Sequence, residues 1–496
     1  MRAGGIVRAL IAGAAGAGLV YAGSHADTRI DLTRSADSAP VSAPAVSSTL
    51  TSTSVTCPGP ERGGITGGAD PQAARQKTTV VTSSTPRGVL PSGVRLGPAG
   101  STTVVSLPGS TAGPVPSVPA GSTRGTVTST EVTGDRAVRL DATRGMAPGS
   151  TAAQVTYDSI RSARGVSYLQ CAAPVQDAWL LAGGNETGRL TRLVLANPGD
   201  SPVTVGVTVI GTVGRDPASV AGTVLPPRER RVLTLPALQA GEDPAIRVTA
   251  SGGLVAVAAT DVWISGESRI GEETTGPSAP PATTQVLPVV TMASAGGSPP
   301  VVRVADPGTE AAVVRVRATA ADGSIASEQA LAVPAGRTAS VALAGLAAGS
   351  YSVQVISDVP VVAAALIRAT PSGTGDIAWA TGAVPVTTLT GAALPTGLTT
   401  TATLGVATTT GTARIVISTV DAAGAVVSTT KTLTPSSPVL QPLPGAASVW
   451  VTVRSGEVRA GLSVSGRDRD GTLIASSALA PLPLRGRVTE IRPATD

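Results

Sequence analysis

The sequence predicts an all-β protein built of tandem immunoglobulin-like antiparallel β-sandwich domains, and three observations carry this prediction. First, Asn197-Pro198-Gly199 and the alternating Val/Thr run behind it are repeated as Asp306-Pro307-Gly308 and a second alternating run. Second, short alternating segments follow one another at intervals of roughly 8 to 15 residues, with turn residues between them, which is typical of sandwiches. Third, the 496 residues include no Phe and are rich in Val and Ala, and β-branched Val favours strands.

The N-terminus, residues 1–26, predicts a signal peptide or membrane anchor. Arg2 and Arg8 give a positive charge to the segment before an uncharged stretch, residues 9–23. After it, Ser24-His25-Ala26 has small residues at the two positions that a signal peptidase recognises. Because a spanning helix needs about 20 apolar residues, we expect cleavage, with a retained anchor as the alternative. In both cases the protein is extracytoplasmic, either secreted or anchored at the outer face of the cytoplasmic membrane.

The rest of the chain is predicted to contain a flexible linker, four β domains and a tail. Ser, Thr, Ala and Pro dominate the linker, a composition typical of extended stalks. The boundaries are 27–56 for the linker, 57–187 for an N-terminal disulfide-linked β domain, 188–290, 291–388 and 389–484 for three sandwich repeats, and 485–496 for the tail. Pro288, Pro385 and Pro483 recur at nearly equal spacing, and we interpret each as marking an interdomain strand.

The repeated turn predicts architecture and no chemistry. We interpret Asn197-Pro198-Gly199 and Asp306-Pro307-Gly308 as backbone geometry, with a proline that fixes φ and a glycine that tolerates a positive φ. In the divergent third repeat the turn is replaced by Ala407-Thr408-Thr409-Thr410-Gly411.

The two cysteines, Cys57 and Cys171, form an even pair in an exported chain. Structural disulfides persist in that compartment, so we expect them to be bonded to each other, and the bridge would constrain the unfolded state by roughly 4 to 5 kcal/mol. Free or intermolecular thiols are the alternative. A lipoprotein cysteine is excluded because Cys57 lies far beyond the apolar leader.

Several function classes are excluded by composition. The only histidine, His25, lies in the leader, so the mature chain has no imidazole for a Ser-His-Asp or Cys-His system and no ligand set for a classical zinc site. We expect no cofactor and no metal. The formal charge is +5, but the arginines are scattered and base-stacking aromatics are scarce, so we expect no nucleic-acid partner.

Two patterns resemble catalytic or metal motifs. Ser428 and Lys431 match S-x-x-K, but they lie in an alternating strand pattern, where residues three apart point to opposite faces. We therefore interpret Lys431 as an exposed strand lysine. Asp468-Arg469-Asp470-Gly471 resembles part of a calcium loop but lacks the remaining ligands, and a hairpin turn explains it better.

Carboxylates remain as candidates for catalysis, since glycosidases need only a pair of them. Glu267, Glu272 and Glu273 cluster in a Gly/Pro-rich stretch, residues 266–283. We interpret this stretch as a solvated interdomain loop, with a catalytic pair as the alternative.

Three units place a rare tryptophan close behind an aspartate. The pairs are Asp177 with Trp179, Asp261 with Trp263, and Asp376 with Trp379. Each tryptophan could line a ligand surface, but we favour a role as the large side chain of an otherwise aliphatic core.

The order of these motifs resembles that of a family of actinobacterial exported proteins classed as a domain of unknown function. The resemblance rests on Cys57-Pro58-Gly59-Pro60-Glu61, on Cys171-Ala172-Ala173-Pro174 before Asp177-Ala178-Trp179-Leu180, and on the segment that ends in Asn197-Pro198-Gly199. It covers nearly the whole chain after the linker and is weakest in the third repeat. It implies an envelope location and a bond between Cys57 and Cys171, and it transfers no catalytic residue.

Together these observations predict a non-enzymatic exported or cell-envelope scaffold or binding protein. Its partner would be an envelope protein or glycan, and membrane attachment would occur through the N-terminal segment only. The alternative is a carboxylate-dependent enzyme or accessory subunit that acts on envelope polysaccharide through residues such as Glu267 or Glu273.

Overall fold

The computed structural model describes residues 48–61, 77–107, 117–132, 134, 136–158, 164–215, 220–235, 242–266, 268–293, 297–369, 375–395, 400–469 and 471–486. The segments predicted as a leader (1–26) and most of those predicted as linker and tail lie outside these residues. Residues 49–486 form one compact unit. Its described part consists of β-strands and two 3-10 turns, Arg87–Val89 and Arg144–Met146, so the all-β prediction is confirmed. Among the described residues there is no helix with the length and apolar character needed to span a membrane.

The strands of the compact unit group into four consecutive sandwiches. The first contains β2 (Ser52–Cys57), β3 (Lys77–Ser84), β4 (Thr102–Ser106), β5 (Ser117–Gly121), β6 (Thr128–Glu131), β7 (Val138–Thr143), β8 (Ser150–Asp158) and β9 (Gly165–Gln170). The second contains β10 (Asp177–Leu180), β11 (Arg189–Ala196), β12 (Val203–Gly211), β13 (Gly214–Arg215), β14 (Val220–Leu225), β15 (Arg230–Thr234), β16 (Ala245–Ser251), β17 (Ala256–Ser265) and β18 (Ser268–Thr275).

The third sandwich contains β19 (Ala282–Met292), β20 (Val301–Ala305), β21 (Ala312–Thr319), β22 (Ile325–Val333), β23 (Thr338–Ala342), β24 (Gly349–Arg368) and β25 (Ile377–Thr381). The fourth contains β26 (Leu389–Ala393), β27 (Thr400–Ala407), β28 (Ala413–Asp421), β29 (Val426–Leu433), β30 (Val439–Pro442), β31 (Ala446–Ser455), β32 (Arg459–Asp468) and β33 (Gly471–Leu479). Two short strands, β1 (Ser48–Thr49) and β34 (Arg485–Gly486), lie outside the sandwiches.

All four sandwiches share one topology. With the two-residue strand β13 left out of the count, the first strand of each sandwich pairs with the sixth, the sixth with the third and the third with the fourth. The second sheet has the order fifth, second, seventh, eighth, as in β6-β3-β8-β9 and β30-β27-β32-β33. In the third sandwich the long strand β24 supplies both the sixth and the seventh strand. The N-terminal domain, which the sequence set apart from the three repeats, is thus a fourth copy of the same architecture.

Strand boundaries differ from the expected domain boundaries at three places. β2 begins at Ser52, inside the segment expected to be a flexible stalk, and pairs with β7 along its whole length. β10, expected to close the N-terminal domain, pairs with β16 and is the first strand of the second sandwich. The expected boundary between the first and second repeats, at residue 290, falls inside β19, which is the first strand of the third sandwich. The segments between sandwiches are short, so β10 and β19 read in the sequence as the ends of the preceding domains.

The three evenly spaced prolines do not occupy equivalent positions. Pro288 lies inside β19, where the register with β24 shifts, and a proline is tolerated there because no ladder donor is needed. Pro385 precedes β26, and Pro483 follows β33. The equivalent prolines are instead Pro174, Pro281 and Pro385. Each directly precedes a residue that pairs with the seventh strand or with the residue just before it, in the pairs Val175–Val255, Ala282–Val361 and Val386–Val458.

The alternating Val/Thr run that follows the repeated turn determines which face of its strand is buried in the core. In β12, Val203, Val205 and Val207 are buried, whereas Thr204 between them is exposed. Because side chains in a strand alternate between the two faces, this pattern directs one valine row into the core. β21 repeats it, with Val314 buried and Val313 exposed.

A buried polar side chain follows the second strand in the last three sandwiches: Asn197, Asp306 and Thr408. The Oδ1 atom of Asn197 accepts the N–H of Gly199 at 2.9 Å, and that of Asp306 accepts the N–H of Gly308 at 2.7 Å. Neither glycine has a positive φ, so the expected tolerance of a positive φ does not explain the glycine. A Cβ on Gly308 would lie 3.0 Å from Asp306 Oδ1, so the close approach of the capping oxygen accounts for glycine.

The disulfide between Cys57 and Cys171 is present, as the sequence predicted. It joins the end of β2 to the residue after β9, and therefore links the two sheets of the first sandwich. Beside it, the backbones of Thr56 and Ala172 are hydrogen-bonded to each other.

Candidate functional site

Four edge strands, one from each sandwich, meet inside the compact unit. β9, β18, β25 and β33 are the last strands of their sandwiches, and each is paired on one side with the seventh strand. β9 and β25 both contact β18 and β33, which closes a cycle of four strands. We call this cycle the central junction. An exposed sheet edge presents unpaired N–H and C=O groups to other chains, and the junction encloses four such edges.

Asp376, which directly precedes β25, binds all four edge strands at once. Its Oδ2 atom accepts the backbone N–H of Val166 in β9 at 3.1 Å and of Ile474 in β33 at 3.0 Å. Its Oδ1 atom accepts the N–H of Ile377 at 3.0 Å and, more weakly, of Glu272 in β18 at 3.4 Å. The carboxyl group is buried, so these bonds satisfy donors that water does not reach.

Glu272 and Glu273 also belong to the junction. The expectation that they lie in a solvated loop was wrong: both are in β18 and both are buried. Glu273 Oε2 accepts the N–H of Ser476 in β33 at 3.2 Å, and Glu272 pairs with Arg269 at 3.2 Å. The carboxyl groups of Glu272 and Glu273 are therefore bonded to other groups within the protein. Glu267 lies outside the described residues.

The carboxyl groups of Asp376 and Glu273 are harder to ionise than in water, because the pKa of each is raised. Burial raises the pKa of Asp376 to about 8, against the opposing effect of its N–H donors. Burial and then the proximity of Asp376 raise the pKa of Glu273 well above its usual range. Two neighbouring buried carboxyl groups do not both ionise readily, so burial and the nearby Asp376 both favour the protonated form of Glu273.

The first and fourth sandwiches are joined directly. The Arg164 guanidinium is fully buried, pairs with Asp468 in the fourth sandwich at 2.9 Å and donates to the carbonyl of Gly375 at 3.0 Å. The hydroxyl of Tyr168 in β9 donates to the carbonyl of Ala393 in β26 at 2.8 Å. These contacts bring the two sequence-distant ends of the compact unit together.

A cluster of arginine, aspartate and tryptophan joins the second and third sandwiches. Asp261 Oδ2 accepts from Arg189 Nη2 at 2.7 Å and from Trp379 Nε1 at 2.8 Å. Arg189 also lies 4.7 Å above the Trp263 ring, and Arg303 lies 4.7 Å above Trp379. Burial opposes the charge on Asp261, but Arg189 and the hydrogen bonds outweigh it and lower its pKa.

The tryptophans divide between core and interface. Trp379 is fully buried and Trp179 is nearly so, as expected for side chains that fill a core. Trp263 is only partly buried and lies between Arg189 and Arg368.

A cavity of about 460 Å³ lies at one end of the central junction. Its walls include the carboxyl ends of the four edge strands and the linkers that follow them. Six of its lining residues are Leu169, Ala172, Trp179, Pro277, Val384 and Ala480. In each of these strands the residue bonded to Asp376 comes before the residues that line the cavity, so the four strands run in one direction from Asp376 to the cavity. This axial cavity is mainly apolar and has the size of ordinary ligand sites.

The repeated turn lines a smaller cavity of about 390 Å³ between the first and second sandwiches. There Arg139 donates to the carbonyl of Pro198 at 2.9 Å. The turn thus contributes an interdomain contact in addition to its local geometry.

The remaining sequence candidates are separate from both cavities. Ser428 and Lys431 are exposed on β29, and the Ser428 hydroxyl lies 2.8 Å from that of Ser418. Asp468 pairs with Gly471 across the β32–β33 turn, which confirms the hairpin. His25 and Asp470 lie outside the described residues. Within the described ranges no group of three His, Cys, Asp or Glu side chains is placed to hold a metal ion.

The molecule is therefore a closed assembly of four like sandwiches around a polar junction and an apolar cavity. The chain belongs to a family of unknown function (DUF5719), whose sequence pattern matches residues 126–444. This match extends from the first sandwich into the fourth. No curated protein matches the chain. One solved structure, described as a tetra-tandem repeat in the extending region of a large adhesion protein, is 14% identical over 78% of this chain and 93% of that chain, with a TM-score of 0.12. This similarity is too low to carry an argument.

Proposed function

We propose that the protein is a non-enzymatic scaffold or binding protein of the cell envelope, exported by its N-terminal segment in an actinobacterial host. The proposed partner is an envelope protein or a glycan, contacted through loops and outer strands of the four sandwiches. The observation that carries the proposal is the structural role of the buried carboxyl groups. Asp376 and Glu273, which could have formed a catalytic pair, instead accept backbone N–H bonds that hold the sandwiches together.

Two further observations support an extracytoplasmic binding role. The Cys57–Cys171 disulfide suits an oxidising compartment. Four sandwiches joined through buried contacts present their loops at fixed positions, and rigid presentation lowers the entropic loss on binding.

The binding role can be tested by immobilising the full chain and exposing it to envelope extract. We expect saturable retention of a defined protein or glycan. The same chain incubated with envelope polysaccharide should release no soluble sugar. Release that is abolished by Glu273→Gln, with the variant still folded, would establish the alternative, a carboxylate-dependent enzyme or accessory subunit.

Export can be tested independently of the partner. Cells that produce the protein should place it outside the cytoplasm, and the mass of its first peptide should report either cleavage after Ala26 or a retained leader. A wholly cytoplasmic protein with reduced Cys57 and Cys171 would contradict the proposed location.

A further inference from the structure

We propose that the axial cavity is a binding site for one uncharged aliphatic chain, such as the acyl chain of a neutral ester. This site goes beyond the proposed envelope partner, because it lies at the end of the central junction and not on the outer loops. Three properties of the cavity lead to this ligand class: the chemistry of its walls, the partners of its polar groups and its size.

The walls favour an apolar ligand. Leu169, Val257, Pro277 and Leu479 are among the lining residues, and Trp179 adds an aromatic face. Apolar cavities of this kind stay dry or take apolar ligands, because a water molecule needs two to four polar partners. A charged head group would find no free counter-ion, since the one lining carboxylate, Asp177, pairs with Arg247 at 2.6 Å.

Much of the polar lining is already hydrogen-bonded within the protein. Gln170 donates to the carbonyl of Gly391 at 2.9 Å and accepts the N–H of Ala480 at 2.7 Å. The Ser278 hydroxyl donates to the carbonyl of Ala363 at 2.8 Å and accepts from Gly382. A glycan or an extended peptide needs many free donors and acceptors, and these groups do not offer them.

Thr56 provides one exception. It is 2% exposed, lines the cavity, and carries a hydroxyl with no hydrogen-bond partner. Buried polar groups are rarely left unpaired, and each one calls for an explanation. A carbonyl or hydroxyl oxygen of the ligand that reached this hydroxyl would pair with it, which is compatible with one ester group on an otherwise apolar chain.

The volume fits one such chain. If each methylene takes about as much space as a water molecule, roughly 30 Å³, the cavity of about 460 Å³ holds a chain of about 15 carbons. Two chains of that length would not fit.

The test uses the full chain with methyl 11-bromoundecanoate, which is short enough for the cavity and whose bromine quenches nearby indoles, and methyl undecanoate as the unbrominated reference. We expect a one-to-one adduct by native mass spectrometry and quenching that disappears in Trp179→Phe. The other three tryptophans, Trp263, Trp379 and Trp450, are not in the cavity lining, so emission from them should persist.

Two cavity variants, Ala478→Leu and Thr56→Val, and one control, Ala423→Leu, test whether the ligand occupies the cavity. Ala478→Leu adds volume to a partly buried wall position and should weaken binding at least tenfold, whereas Ala423→Leu, at an exposed turn, should leave it unchanged. Thr56→Val removes the unpaired hydroxyl and should weaken ester binding about 2- to 10-fold without lowering stability.

Three results would overturn the proposal: no adduct at the solubility limit of the probe, equal affinity in Ala478→Leu, or displacement of the probe by a soluble oligosaccharide or proline-rich peptide. Capture of an envelope partner is a separate readout. If Ala478→Leu still captures that partner but the wild type binds no ester, the aliphatic site fails while the proposed function stands.

Discussion

Asn197 and Asp306 occupy the same position in the second and third sandwiches, but only Asn197 has partners for both polar atoms of its side chain. Asn197 Nδ2 donates to the carbonyls of Ser201 at 2.8 Å and Pro226 at 3.0 Å. Asp306 Oδ2 is buried and makes no hydrogen bond of ordinary geometry, although the nearby N–H of Ala312 favours its ionised form. A carboxylate oxygen can only accept, so it cannot satisfy carbonyls placed as they are around Asn197.

We therefore predict that Asp306→Asn stabilises the protein by about 1 kcal/mol at pH 8. Burial raises the pKa of Asp306, so the wild type loses stability as pH rises through that folded pKa. The gain should consequently be smaller at pH 4. Urea unfolding at both pH values measures it. The reciprocal change Asn197→Asp should destabilise, and a less stable Asp306→Asn at pH 8 would contradict the argument.

Asp376→Ala should loosen the central junction as a whole. It leaves four N–H groups of four strands without their acceptor, and each buried unsatisfied donor costs about 1 to 3 kcal/mol. Hydrogen exchange should accelerate at Val166 and Ile474 together. Asp421→Ala is the control, because its carboxyl accepts two N–H groups in an exposed turn. Acceleration confined to the third sandwich would show that Asp376 does not couple the strands.

The sequence predicted the sandwiches better than it predicted their arrangement. The alternation of residues in β12 predicted the all-β architecture, and the repeated turn predicted the tandem copies. After its second strand the first sandwich has Thr85-Pro86 where the second and third sandwiches have Asn197-Pro198-Gly199 and Asp306-Pro307-Gly308, so the repeated turn did not identify it as a copy. Its topology becomes evident only from the pairing of β3 with β6 and β8.

The central junction could not be predicted from the sequence. Asp376 bonds backbone N–H groups 210 residues before it and 98 residues after it, and backbone donors do not depend on residue type. Glu272 and Glu273 looked solvated because charged residues are seldom fully buried. The one local sign was an acidic cluster in an otherwise aliphatic chain.

Trp379→Phe should cost more than Trp450→Phe. Both indoles are fully buried, so the loss of volume is similar. Trp379 donates to the carboxylate of Asp261 at 2.8 Å, whereas Trp450 donates to the Ser448 hydroxyl at 3.1 Å. Hydrogen bonds to charged groups contribute about 1 kcal/mol more than neutral ones. The difference between the two unfolding free energies measures this excess, and equal losses would refute it.

The junction carboxyls should make the protein less stable as pH rises from 5 to 9. Burial raises the pKa of both Asp376 and Glu273, whereas unfolded carboxyls ionise near pH 4. The folded state therefore retains protons that the unfolded state has released. Their contribution is complete below about pH 4 and is lost as pH rises through about 8 for Asp376, with a slope of up to about 1.4 kcal/mol per pH unit for each group.

Glu273→Gln isolates one of the two groups, because glutamine cannot release a proton. Its unfolding free energy, measured in urea at pH 5, 7 and 9, should fall less steeply than that of the wild type. Asp322→Asn is the matched control. Hydrogen bonds from Ser324 lower the pKa of the exposed Asp322 carboxyl, so it stays ionised throughout this range and the wild-type slope should be kept. A wild-type slope in Glu273→Gln would mean that Glu273 does not hold its proton in the folded junction.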